Sequence, residues 1–255
     1  MGAGHSSDLH VPGDSPLHRA PPQCKVAGAV LLVLAFVVTP REQVWAFGLH
    51  AALVLILAVV AGVPLARMAR RLVIELPFVA FAFLLPFVAG GERTELGPLT
   101  LSIDGLWGAW NILAKGTLGV AVAVLLTATT PGADLVRGLG RLHLPPVLVT
   151  IVTLMARYGE VLTGEVHRMR IARLSRGYDP RWAWQARAVA SSAGTLFVRS
   201  YERGERVHLA MVARGFTGTL PDDGADGAGA PWWARSLAVP AIALATSTLG
   251  WVVAA

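Results

Sequence analysis

Apolar residues gather along this chain into long runs separated by short charged clusters. A helix crossing a hydrocarbon core of roughly 30 Å needs about 20 such residues. Five runs are read as spans. Residues 26–39 are short but uncharged, 44–63 are full length, 72–89 contain only Glu75, and 106–129 contain only Lys115. The fifth, 232–253, has Trp232, Trp233 and Trp251 near its ends, where indole rings favour the headgroup level, and its Arg235 must snorkel. A sixth run, 144–155, is too short to span alone and is read as the start of a longer helix partly buried in protein.

Between the fourth and fifth spans the period changes. Tyr158, Leu162, Val166 and Met169 recur at helical spacing, with Arg157, Glu165, Arg168, Arg170 and Arg173 off the stripe. A second stripe runs through Val189, Ala193, Leu196, Ser200, Gly204, Val207 and Met211, and Glu202 can pair with Arg206 one turn on. Pro145 and Pro146 suit the start of the first helix, and Asp179-Pro180 breaks the chain between the two. The predicted organisation is a disordered tail over 1–22, four spans within 23–130, an amphipathic helical arm over 131–217, a flexible acidic linker over 218–230 with Asp222, Asp223 and Asp226, and a last span in 231–255.

Charge adds an orientation. The arginines Arg67, Arg70 and Arg71 follow the second span, whereas the segments after the first and third carry Arg41 with Glu42, and Glu92, Arg93, Glu95 and Asp104. Short cytoplasmic loops carry the excess of positive charge, so the N-terminus and the arm are predicted on the cytoplasmic side. The segment 131–231, arm and linker together, holds thirteen arginines against nine acids. With 54% hydrophobic and 15% charged residues the chain fits a bilayer better than water. Cys24 is the one cysteine, which excludes an intrachain disulfide and a multi-cysteine metal site. Residues 1–22 lack the layout of a signal peptide. No G-x-x-x-x-G-K-[ST] phosphate cradle, H-E-x-x-H or G-x-S-x-G string occurs. His5, His10 and His18 are spaced in a Pro/Ser/Gly tail, where such histidines more often carry no function than bind a metal. Glu75 and Lys115 are the ionisable residues inside spans; both lie toward span ends, Glu75 within reach of water and Lys115 placed to snorkel, with Asn111 one turn earlier.

Each arm helix closes on arginine-glycine: Ala172-Arg173-Leu174-Ser175-Arg176-Gly177 and Ala213-Arg214-Gly215. Glycine past a helix end with a cation in the last turn is the ordinary C-cap. Alternatively, each arginine is a cationic fork projecting toward a carboxylate on another subunit. Two such ends on one arm favour the second reading.

These tips, with the residues around them, resemble the transmembrane T component of energy-coupling factor transporters, most closely the cobalt-type CbiQ branch. The resemblance covers nearly the whole chain after the tail. Leu17-His18, Pro22 and Lys25 resemble the family's opening stretch, with Pro22-Gln23-Cys24 where Asp-Pro-Arg is usual. Glu75-Leu76-Pro77 and Leu85-Pro86-Phe87 look like its third span, and Thr129-Thr130-Pro131 and Arg141-Leu142-His143-Leu144-Pro145 like the passage into the arm. Arg157-Tyr158 and Glu165 match an Arg-Tyr and a Glu. The most specific run is Arg199-Ser200-Tyr201-Glu202-Arg203, continuing through Glu205-Arg206-Val207 to Met211-Val212-Ala213-Arg214-Gly215-Phe216-Thr217-Gly218.

The resemblance implies an all-α integral membrane protein with about five transmembrane helices and long amphipathic cytoplasmic coupling helices inserted before the last span. It implies a non-catalytic scaffold in the plasma membrane of a prokaryote, with no cofactor of its own, ATP being bound by two ABC-type ATPase subunits. A substrate-binding membrane S component and the lipid bilayer complete its partners, and no nucleic acid is implied. Arg176 and Arg214 would pair with ATPase carboxylates, with Ala172, Ala213, Gly177 and Gly215 allowing close approach. Leu174 and Ser175 stand between the first pair of arginines, so Arg173 and Arg176 both stay open as the contact. Cobalt is the cargo the branch suggests. The alternatives are another cargo, such as biotin, nickel or a shared set of vitamins, and a stand-alone membrane carrier whose arm binds anionic lipid.

Overall fold

The computed structural model describes residues 11–96, 99–142, 144–178, 187–220 and 227–254. In chain order the elements are α1 (Pro16–Arg19), α2 (Pro22–Val38), α3 (Val44–Ala61), α4 (Leu65–Arg71), a 3₁₀ stretch (Leu72–Glu75), α5 (Leu76–Val88), the hairpin β1 (Arg93–Leu96) and β2 (Leu99–Ser102), α6 (Ile103–Thr129), α7 (Gly132–Arg141), α8 (Pro146–Ser175), α9 (Arg187–Ala213) and α10 (Ala230–Ala254). They form two compact units, Ser6–Leu142 with Gly227–Ala255, and one built on His143–Asp226.

The first unit is a helical bundle of membrane-spanning character. Among the described residues, Val44–Ala61, Leu65–Val88 and Ile103–Thr129 are long and apolar enough to cross a bilayer, and Pro22–Val38 is a shorter apolar helix. Helix α10, with 25 residues, reaches about 37 Å at 1.5 Å per residue. Helix α2 is central, packing on α6, α7 and α10. Its faces toward its neighbours carry small residues, since lipid tails supply no hydrophobic drive between helices and close approach must. Ala35, Ala58, Ala128 and Ala243 are fully buried. Helices α5 and α6 approach closely at Gly105 of α6, where an added Cβ would lie 2.7 Å from the Leu85 carbonyl oxygen of α5. Phe36, Phe47, Val54, Val122 and Leu125 fill the core.

Several expectations need correction here. Arg67, Arg70 and Arg71, read as a loop, belong to α4, and the third span runs Leu65–Val88. The 3₁₀ stretch within it precedes Pro77, which has no N–H to give and whose ring crowds the carbonyl four residues back. The charged segment after that span folds as a hairpin, Arg93 opposite Ser102 and Leu96 opposite Leu99. The Ser102 hydroxyl then caps α6, accepting from the Gly105 amide at 3.1 Å. The described part of the expected tail is ordered: the Val11 amide donates to the Ala128 carbonyl at 2.8 Å, and Ser15 caps α1. Helix α7, expected at the start of the arm, packs on α2, where Gly138 lies so close that a Cβ would meet Pro22 at 2.9 Å.

The second unit pairs α8 with α9. The run 144–155 does begin a longer helix, the 30-residue α8. That helix also qualifies by length and composition as a span candidate; within the run Thr150 is buried and Val149, Thr153 and Leu154 are half-buried, in keeping with a helix partly buried in protein. The break expected at Asp179-Pro180 lies outside the described residues, as do the linker acids Asp222, Asp223 and Asp226.

Candidate functional site

Both arm helices end in the same backbone structure. At the end of α8 the Gly177 amide donates to the Leu174 carbonyl at 3.0 Å and the Tyr178 amide to the Arg173 carbonyl at 3.1 Å. At the end of α9 the Gly215 amide donates to Val212 at 2.9 Å and the Phe216 amide to Met211 at 3.0 Å. This is the Schellman pattern, in which the residue after the last helical one stays near helical geometry and the next turns left-handed. Gly177 has φ +74° and Gly215 +85°, values that suit glycine. Superposing the two patterns aligns Arg176 with Arg214 and Arg173 with Met211. Arg176, not Arg173, is therefore the structural equivalent of Arg214.

Arg176 and Arg214 are exposed, and neither has a side-chain partner among the described residues. Ala172, Gly177, Ala213 and Gly215 are exposed as well, and a Cβ at either glycine would find nothing within 4 Å. Each tip thus combines a cation, a small residue beside it and open space in front. The capped carbonyls add a partial negative charge behind the arginine, which favours the cation there.

The two helices run in opposite directions. Thr150, Met155 and Tyr158, early in α8, line one groove with Val207, Met211 and Phe216, late in α9, while Arg199, earlier in α9, donates to Glu165, later in α8, at 2.9 Å. The α9 tip is consequently at the end where α8 begins. From Thr150 to Arg176 is 26 residues of α8, about 39 Å of helix. The site residues are not gathered in one place: they make two tips at opposite ends of one helix pair.

Glu165 is the residue that the stripe analysis misplaced. Leu154, Tyr158, Leu162, Glu165 and Met169 form the half-buried face of α8, and Val166 is 48% exposed. Arg168 donates to Glu165 at 2.6 Å from the next turn of α8 and Arg199 from across the pair, and these two hydrogen bonds hold its carboxyl below the usual carboxylate range. The 3.9 Å between Glu202 and Arg206 makes theirs a loose pair. On α9 the face toward α8 is Leu196, Ser200, Arg203, Val207 and Met211; Val189 and Ala193 are exposed.

Elsewhere the ionisable residues serve the bundle. Glu75, expected to reach water, is only 7% exposed and accepts from the Thr117 hydroxyl at 3.0 Å. Lys115 donates to the Val37 carbonyl at 2.8 Å. His18 engages Ser15 through Nδ1 at 2.7 Å and Val11 through Nε2 at 2.9 Å, so both ring nitrogens are occupied; His5 and His10 lie outside the described residues.

The sequence profile of the family described as cobalt transport protein, CbiQ, matches residues 13–223. The chain is 30% identical over 228 residues to the energy-coupling factor transporter transmembrane protein EcfT of Bacillus selenitireducens, covering 82% of each chain. It is 27% identical over 223 residues to the protein of the same name in Listeria innocua, covering 82% of this chain and 83% of that one. With the cobalt transport protein CbiQ of Rhodobacter capsulatus it shares 29% identity over 129 residues, 49% of this chain and 52% of that one.

Proposed function

Since the chain belongs to the CbiQ family and is a multi-pass membrane component of an energy-coupling factor transporter, we propose that α8 and α9 are its coupling helices and that each tip docks on its own ABC-type ATPase. The observation that carries this reading is the repeated tip at opposite ends of one pair: Arg176 and Arg214 at identical cap positions, both exposed and unpaired among the described residues. Two like sites some tens of ångströms apart suit two like partners. A planar guanidinium on a rigid cap offers a carboxylate two parallel bonds, a geometry an ammonium cannot match.

In this role the chain transmits motion and performs no hydrolysis. Closing of the two ATPases shifts the tips, and the bundle passes the shift to a separate substrate-binding membrane subunit. The N-terminus and the arm then face the cytoplasm of a prokaryotic cell, in keeping with the arginines of α4 and of the arm. Cobalt is the proposed cargo, from the family's description. A second cargo reading, a vitamin or another metal through a shared module, is favoured by the wider coverage of the relatives named EcfT.

Purification in mild detergent from cells expressing the whole transporter tests the proposal. Two nucleotide-binding subunits are expected to accompany the wild-type chain, and Arg214→Lys and Arg176→Lys are each expected to weaken that association and ATP-driven uptake, although charge is kept. Retention of full uptake by both lysine variants would mean that the arginines act by charge alone, and purification of the chain without ATPases would remove the scaffold reading. Uptake of cobalt against nickel and biotin by the intact transporter decides the cargo.

A further inference from the structure

A cavity of about 250 Å³ opens at one end of the bundle unit, where α2 and α10 begin and α3 and α6 end. Its deeper part is apolar, lined by Leu32, Leu57, Val122 and Val239, with Leu17 of the ordered tail beside it. Its outer part carries two cations, Lys25 in the first turn of α2 and Arg235 near the start of α10. From Lys25 to Leu32 is two turns of α2, so the cationic and apolar parts are about 10 Å apart.

The two cations differ in what they have left to offer. Lys25 spends its three donors on the His18 carbonyl at 3.1 Å, the Thr129 carbonyl at 3.0 Å and the Thr130 hydroxyl at 3.2 Å. All three acceptors are neutral, so its charge is not matched by a carboxylate within ion-pair distance among the described residues. Arg235 is exposed, sits over the Trp232 ring at 5.7 Å, and has no carboxylate partner among the described residues. Tryptophan rings favour the headgroup level of a bilayer.

We infer that this cavity is a site for one anionic phospholipid, its phosphate on the Arg235 guanidinium and part of one acyl chain in the slot between Leu32, Val122 and Val239. Free phosphate fits the cation but leaves the apolar slot without a partner. A choline headgroup adds a positive charge beside two cations that have no carboxylate within ion-pair distance among the described residues. An anionic glycerophospholipid matches both parts, and Trp232 steadies the guanidinium through the cation–π contact.

The test uses the purified full chain in nanodiscs of phosphatidylcholine doped with phosphatidylglycerol, and measures the lipid carried out of the disc by native mass spectrometry. One phosphatidylglycerol is expected to be retained in preference to phosphatidylcholine. Arg235→Gln is expected to lower its retention roughly fivefold, the effect of one cation near an anionic surface, and Arg67→Gln, an exposed cation of α4 that does not line the cavity, to leave it unchanged. Val239→Trp fills the slot and is expected to abolish retention with Arg235 in place; should it fail to fold, the exposed Arg235→Gln variant still decides. Equal retention of both lipids, equal losses in the Arg235 and Arg67 variants, or full competition by inorganic phosphate would each overturn the site.

Discussion

The bundle and the arm are both helical, yet they use polar residues in opposite ways. In the bundle, polar side chains turn inward and join helices. Lys25 of α2 bonds the Thr129 carbonyl at the end of α6, and Lys115 of α6 bonds the Val37 carbonyl at the end of α2. The chain's two lysines thus tie the same antiparallel pair, each at the other helix's C-terminus, where a cation is favoured. Thr39 and Ser247 join α2 to α10 at 2.8 Å, and the buried His50 of α3 reaches Thr246 of α10, also at 2.8 Å. In the arm, most charged groups turn outward, Phe197 is 70% exposed, and the half-buried Glu165 links α8 to α9 through the exposed Arg199. One region is fixed by partners within the chain. The other leaves most of its arginines and much of its apolar surface exposed.

Removing Lys25 would strike hardest at this difference. Lys25→Met keeps the length of the side chain and takes away three hydrogen bonds from a charged donor, leaving the Thr129 carbonyl at the end of α6, the His18 carbonyl and the Thr130 hydroxyl each short of a partner. A loss of about 2–3 kcal/mol is expected, since bonds to charged groups contribute about that much. In mild detergent the apparent melting temperature should fall by roughly 4–12 °C. A melting temperature unchanged from wild type would mean that the bundle's polar ties are incidental to its stability.

A smaller and more local effect is expected at the α9 tip. Gly215→Ala forces a Cβ into left-handed backbone, at about 1–2 kcal/mol, although nothing in the chain stands in its way. Hydrogen exchange at the Phe216 amide, which closes the cap on Met211, should quicken while the amides of α2 and α6 keep their protection. Gly28→Ala in the bundle is the contrasting case, because there the added Cβ would meet the Ser236 carbonyl oxygen of α10 at 3.0 Å. Its cost depends on whether two helices can separate, and exchange should quicken across both. If the two variants behave alike, the distinction between a self-contained tip and an interlocked bundle fails.

What could be read from the sequence follows the same division. Spans and arm helices were legible because apolar runs and helical stripes report on a helix's own surroundings. The tips were legible because a Schellman cap is local: arginine, glycine and then an aromatic residue, Tyr178 or Phe216, write it into adjacent positions. That aromatic was the overlooked sign that Arg176, not Arg173, corresponds to Arg214. The lysine ties were not legible, because Lys25 and Thr129 are 104 residues apart and nothing in either local pattern points to the other. Glu75 was misread for a similar reason, its partner Thr117 being on a different helix. Glu165 was misplaced because a charge at helical spacing was assigned to the solvent face, whereas Arg199 makes it a member of the inner one.

The gentlest prediction concerns that carboxylate. Its folded form titrates below the ordinary 4.5 because Arg168 and Arg199 bond the charged state. A depressed acid stabilises the fold in full above its ordinary value, and the contribution is lost as pH falls from there through the folded value. Spin labels on exposed positions of α8 and α9 should therefore report a pair that stays closed near neutral pH and loosens in acid. Glu165→Gln should already be slightly loosened near neutral pH and should lack the acid-dependent step that wild type shows below 4.5. The difference between the two curves isolates Glu165 from the other carboxylates that titrate nearby. Coincident curves would show that the apolar stripe of Tyr158, Leu162, Val207 and Met211 holds the arm together unaided.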